Sequence, residues 1–262
     1  MSSPDTQNDD SKGESNIGET NSASAASCAS FQVSSSVNIL ALVQVIMIII
    51  FLIWGSSHTL SDTYFVDDAT PTATRALDGY NLYVGVMIMM LVGFGYLMTF
   101  MKYYGLGAVG FCLIVTAVGL QWALIWESFF EMWHADKWHD FPLDMYTVYI
   151  TTTIVAVPLI SLGGVIGKIT PLQLIIMVLV EFIFHAILEV ILYGELKVVD
   201  IGATYGIHMF GCYFGLAVSY ILGAPVSEPE GGHIPDAFSL IGTVFLWVYW
   251  PSFVGGFLEV DS

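Results

Sequence analysis

Asp200 and His208 stand eight residues apart in VVDIGATYGIHMFGCYFGLAVSYILG (Val198–Gly223), a run apolar and long enough to cross a bilayer. An ionisable group at membrane depth is costly, so it faces a protein interior or a water-filled path and marks function. On one continuous helix the two would be separated by roughly 12 Å and 80°. The expectation is an acid near the mouth of a path and an imidazole near mid-membrane, on one protein-facing side. A neutral imidazole could accept from or donate to a small polar solute, or relay a proton. The plain alternative for His208 is a packing residue hydrogen-bonded to a neighbouring helix. Asp200 has a rival role as a helix cap, and both roles can coexist. Gly202, Gly206, Gly211 and Gly215 form two small-xxx-small pairs that let other helices approach closely.

A second constellation lies in the preceding apolar run. Glu181, His185 and Glu189 are spaced i, i+4, i+8 and so share one helical stripe. They could form a proton relay or a metal site, and a hydrogen-bonded stripe buried against a neighbouring helix accounts for them as well. Such buried charge needs a partner, so Glu181 and His185 are expected to contact each other or another helix in the bundle interior. The aromatic cluster WVYWPSF (Trp247–Phe253) could line or gate a pore, or anchor a helix at the interface. Pro251 within it is expected to kink or break its helix.

These residues must be positioned by membrane helices. The chain is 56% hydrophobic and only 11% charged, which excludes an ordinary soluble domain. The net charge of −17 comes mainly from the N-terminal tail and loops, so no nucleic-acid partner is implied. Three cysteines, Cys28, Cys112 and Cys212, make no disulfide or metal framework. No nucleophile–base pair or convincing metal spacing appears, so neither an enzyme nor a cofactor or metal is expected. Residues 1–36 are Ser-, Asn- and acid-rich and are expected to be disordered. Residues 37–262 form the membrane domain, with spans at about 37–55, 80–101, 106–126, 145–166, 172–192, 199–222 and 237–258. The fold class is all-α, a polytopic transmembrane helical bundle of about seven spans. With the N-terminus inside, basic residues divide evenly between the two sides, so charge does not set the orientation.

The segments VGFGYLMTFMKYYGLGAVGF (92–111), GLQWALIW (119–126), GKITPLQLII (167–176), ELKVVDIGATYGIHMFGCYFGL (195–216) and GTVFLWVYWPSF (242–253) together resemble the Rh glycoprotein branch of the ammonium transporter family. The resemblance runs from about Val37 to Phe253. It implies a trimer-forming plasma-membrane protein, a homo- or heterotrimer with Rh-type subunits, each with a pore for ammonia or ammonium and, as a further expectation, carbon dioxide. It also implies that Asp200 is the acid near the pore mouth, His208 the first of two pore histidines, and Phe253 one of two gate phenylalanines.

Three departures stand out. The other gate position falls at about Thr153. Glu181 and His185 replace an uncharged and a hydrophobic residue of the family pattern. The chain stops at Ser262, whereas the family pore lies between two inverted five-helix repeats. The expectation is therefore the N-terminal half of that fold, a truncated form lacking the last five helices. The leading functional reading is ammonium/ammonia transport, incomplete as given. The alternative is an Rh-like membrane protein without transport that assembles with full-length relatives.

Overall fold

The computed structural model describes residues 34–56, 71–136, 138, 141–142, 145–225 and 230–255. Most of the tail expected to be disordered, residues 1–33, lies outside them. The chain divides into two compact units, 1–43 and 44–262. Among the described residues, seven helices are long and apolar enough to cross a membrane: α1 (Ser34–Trp54), α2 (Tyr80–Phe100), α3 (Gly105–His134), α4 (Thr147–Val165), α5 (Pro171–Glu195), α6 (Thr204–Leu222) and α7 (His233–Gly255). The protein is a multi-pass membrane protein, as its composition implied. Strands β1 (Gly55–Ser56) and β2 (Phe141–Pro142) add a two-residue parallel pairing.

Several boundaries differ from the sequence reading, each for a local reason. Helix α1 already begins at Ser34, ahead of the expected Val37. Helix α3 continues past Trp126 with Ser128 and Met132 buried against the bundle; Asp136 ends it in the left-handed region (φ 50°). Helix α5 begins at a capping box: Gln173 N–H donates to Thr170 Oγ1 (3.4 Å), Thr170 N–H donates to Gln173 Oε1 (3.0 Å), and Pro171 occupies the first turn. The motif ITPLQ is thus a helix start. Helix α4 is interrupted at Val155. Pro158 cannot donate to the carbonyl one turn back, and Thr151, Thr152 and Thr153 bond back to the carbonyls of Thr147, Val148 and Ile150. Pro251 does not break α7, which runs on to Gly255.

The core centres on α4, 72% of whose span is buried, against 22% for α6 and 11% for α7. Small residues set the closest approaches. A Cβ on Gly215 of α6 would lie 2.7 Å from Ser161 Cα of α4, and one on Gly211 would lie 2.9 Å from the Val157 carbonyl oxygen. On the other side, Gly242 of α7 lies against the α2 backbone at Gly93 and Leu97. Ser239 Oγ donates to the Leu97 carbonyl (3.0 Å) across the same contact. Trp122 Nε1–H of α3 donates to the Leu179 carbonyl of α5 (2.8 Å). In hydrocarbon such packing and hydrogen bonding, rather than burial from water, hold helices together.

At one edge Lys102 Nζ donates to Glu230 Oε2 (3.0 Å), and Lys102 N–H donates to the Glu230 carbonyl (2.9 Å). The hydrogen bond to Glu230 raises the lysine pKa, and the bond from Lys102 lowers that of Glu230. A carboxyl with a depressed folded pKa contributes stability above its unfolded value and loses it as pH falls through the folded value. Both side chains are solvent-exposed, so screening makes the pair weak. Glu230→Gln should leave the melting temperature within error at neutral pH, and acidification through the carboxylate range should loosen this contact, read by hydrogen exchange at Lys102.

Gly215→Leu should lower the melting temperature of the purified protein strongly, because the added carbon meets α4 backbone that cannot rotate away. Overpacking of this kind costs about 1–3 kcal/mol or more. Gly107→Ala, which meets nothing within 4 Å, should be neutral or stabilising; size-exclusion thermal melts of both variants provide the comparison.

Candidate functional site

Asp200 does not lie on the helix that carries His208. Helix α6 begins only at Thr204, after Ala203 in the left-handed region (φ 49°), so the expectation of both residues on one continuous helix is corrected. The physical reason is the capping strength of the carboxylate. Asp200 Oδ1 accepts from Thr204 N–H (2.8 Å), and Oδ2 accepts from Tyr205 N–H (2.7 Å) and Gly206 N–H (3.1 Å). Tyr193 Oη–H of α5 adds a fourth donor to Oδ2 at 3.3 Å. These amides are the orphan donors of a helix start, which a carboxylate satisfies and whose dipole it complements.

That first turn is π-helical from Thr204 to Met209, a geometry frequent at functional positions. His208 occupies it. The Ala203 carbonyl accepts from Ile207 N–H (3.0 Å) and His208 N–H (3.1 Å), and it also faces His208 Nδ1 at 3.0 Å. A carbonyl only accepts, so Nδ1 carries the hydrogen and Nε2 presents its lone pair. The ring sits edge-on against Trp250 (5.3 Å) and Phe253 (5.8 Å) of α7, which stack on each other at 5.2 Å and 20°. Phe253 is fully buried, and its carbonyl accepts from Tyr149 Oη–H of α4 at 2.9 Å. The structure therefore joins His208 to Phe253 and links Asp200 to them through the cap. Tyr149 and Trp250 belong to the same group. Thr153 is fully buried, its hydroxyl turned back to the Ile150 carbonyl (2.6 Å).

The α5 stripe points inward. Glu181 and His185 are both fully buried and contact other helices, as their spacing predicted. Ser161 Oγ of α4 is hydrogen-bonded to Glu181 Oε1 and also to the Gly211 carbonyl of α6 (2.8 Å). His185 Nδ1 lies 3.0 Å from Glu127 Oε1 of α3, and Nε2 lies 3.8 Å from Glu189 Oε1. Glu127 escaped the sequence reading because the third span was ended one residue before it. Extending that helix would have shown Glu127, Glu131 and His134 on one stripe, i, i+4, i+7. Glu127 and Glu189 line a cavity of about 520 Å³ between α3, α4 and α5.

The sequence model of the Ammonium Transporter Family matches residues 74–261, most of the chain. The chain belongs to that family. Among its relatives, ammonium transporter Rh type C of Xenopus laevis is 40% identical over 179 residues, 66% of this chain and 37% of that protein. Ammonium transporter Rh type B of Danio rerio is 37% identical over 220 residues, 81% of this chain and 47% of that protein. The solved structure of Nitrosomonas europaea Rh50, presented with the mechanism of conduction by the Rhesus family of channels, matches with a TM-score of 0.64 at 28% identity. It covers 72% of this chain and 51% of that one. The chain spans about half the length of these relatives. The Rh resemblance drawn from the five sequence segments is therefore borne out.

Asp200→Ala should destabilise the start of α6 by about 1–2 kcal/mol, the usual loss for a cap. The Thr204, Tyr205 and Gly206 amides should then exchange faster in hydrogen-exchange mass spectrometry. Asp200→Asn keeps the acceptor oxygen and should lose less.

Proposed function

We propose that this chain furnishes one wall of an ammonium/ammonia-conducting pore, with His208 as its lining imidazole, Asp200 as the residue that fixes it, and Phe253 with Trp250 as the aromatic surface beside it. The observation that carries the reading is the geometry at His208. Its Nδ1–H is held by a backbone carbonyl, so Nε2 is a fixed acceptor beside two aromatic rings. Ammonia or ammonium donates N–H bonds to such a lone pair. The π-faces of Trp250 and Phe253 offset part of the desolvation of a cation, by about 0.5–2 kcal/mol. Asp200 acts in this reading by capping the turn that orients the imidazole. The relatives named as ammonium transporters support the solute class.

In this reading the chain works in the plasma membrane within a trimer of Rh-type subunits. The exposed apolar side chains of α6 and α7, such as Tyr213, Leu216, Trp247 and Val248, face lipid or further helices there. Residues 37–262 act as the transport domain.

Proteoliposome flux tests it. The chain alone should pass ammonium at the rate of protein-free vesicles. Joined to the second half of the Danio rerio Rh type B protein, it should conduct, and His208→Ala should reduce the flux at least tenfold. Flux in the joined protein that is indifferent to His208 would overturn the pore assignment. No flux in the joined protein, with normal assembly, would favour the non-transporting assembly role.

A further inference from the structure

We propose that the outer groove between the ends of α3 and α5 binds one membrane sterol, separate from the His208 turn and from the cavity that Glu127 and Glu189 line. The groove measures about 630 Å³, within the range of about 300–1,000 Å³ usual for small-molecule sites. Phe130 and Trp133 of α3 form one wall, and Ile187, Val190 and Ile191 of α5 form the other. It opens sideways from the bundle, since Trp133 is 59% exposed and Ile191 45%. Ile176, Val180, Phe184 and Ile187 continue the same exposed apolar stripe along α5, so hydrocarbon is the medium that reaches the groove. Its polar end is His134 and Glu195, the last residues of the two membrane-length spans. His134 Nε2 lies 3.1 Å from Glu195 Oε1. A Cβ on Gly194 would meet Nε2 at 3.0 Å, so the bare glycine lets the ring lie against the end of α5. The occupant therefore has an apolar body in the bilayer and a polar head at its surface.

Charge decides the head. Glu195 is at the rim, and Glu131 flanks His134 in the neighbouring cavity, so carboxyl groups outnumber the single imidazole. A phospholipid brings a phosphate to this depth, where such a rim repels it; a neutral hydroxyl instead donates to a free oxygen of Glu195. Stiffness decides the body. Phe130 stacks on Trp126 (5.7 Å, 28°) and meets Phe129 (5.4 Å) and Trp133 (6.0 Å) edge-on. The isoleucines and valine opposite are stiff at χ1. A fixed groove favours a ligand that is itself rigid, because an acyl chain loses rotational freedom along its length on entering and fused rings do not. The sequence adds an independent sign. Val190–Lys197 (VILYGELK) fits the short, low-specificity pattern of Leu or Val, then Tyr, then Lys or Arg proposed for cholesterol contact. Val190 of that stretch lines the groove, while Tyr193 turns into the neighbouring cavity and bonds to Asp200. The residues from Val190 to Glu195 form a π-helical turn, a geometry frequent at functional positions.

The test is photolabelling of the full chain in phosphatidylcholine vesicles with a diazirine-bearing cholesterol probe, mapped by peptide mass spectrometry. The expected result is saturable labelling of the peptides that carry Trp133 and Ile191. Cholesterol should compete for it, and its epimer with the inverted hydroxyl should compete less well. Ile191→Trp, which fills the groove from its lipid-facing wall, should remove the saturable component. Glu195→Ala should weaken the competition by cholesterol about fivefold, the usual effect of losing one hydrogen bond. Leu113→Ala, on the exposed face of α3 outside the groove, should change nothing. Melting temperatures show that each variant is folded; if Ile191→Trp is not, Glu195→Ala and the epimer comparison decide. Sterol labelling that does not saturate, or that persists unchanged in folded Ile191→Trp, would overturn the site. A photoreactive phosphatidylcholine that saturates the same peptides and is not displaced by cholesterol would make the groove a phospholipid site and overturn it equally.

Discussion

Hydrocarbon offers no hydrogen bonds, so each backbone N–H and C=O within a membrane span must find its partner inside the protein. In this chain several departures from regular helix are accompanied by side-chain hydrogen bonds to the backbone. Where Pro158 interrupts α4, three threonine hydroxyls bond back to carbonyls of the preceding turn. Where α6 starts late, Asp200 takes three amides and the Ala203 carbonyl takes two amides and faces an imidazole. Where α7 ends, Tyr149 reaches the Phe253 carbonyl. The candidate pore residues are a consequence of this requirement. His208 is oriented because its turn had to be satisfied, and the tautomer that exposes Nε2 follows from an acceptor-only backbone oxygen.

The same requirement explains why glycine governs the packing. Helices in lipid gain little from burying apolar surface and must gain contact by proximity. Gly211 and Gly215 let α6 lie on the backbone of α4, close enough for the Ser161 hydroxyl to reach the Gly211 carbonyl. Glu181 is then accommodated in the interior as an acceptor from that hydroxyl. Close backbone approach thus makes the polar contact possible.

Two polar groups coexist in one bundle with different chemistry. Around His208 the neighbours are backbone and aromatic rings, an environment for a solute that donates N–H bonds. Around His185 they are the carboxyl groups of Glu127 and Glu189 at the wall of a cavity. At His208 an acceptor-only carbonyl holds Nδ1–H, whereas at His185 the partner is a carboxyl group that can donate or accept.

Composition and apolar run length by themselves determined that the chain crosses a membrane several times, since apolar runs of this length have no other stable environment. The period of α5 also determined that Glu181 and His185 face protein, because lipid would leave charge without a partner. The five Rh-like segments pointed to the family. The tertiary structure alone decided which groups meet. Glu127 lies 58 residues before His185, and only the packing of α3 on α5 brings them together. Asp200 reads as a residue on the His208 helix until the left-handed Ala203 separates them. Phe253 joins His208 because α7, packed on α2, brings Trp250 and Phe253 against the imidazole. Sequence spacing reports neighbours within one helix, where geometry is periodic; contacts between helices depend on where small residues permit approach, and no period along the chain encodes that.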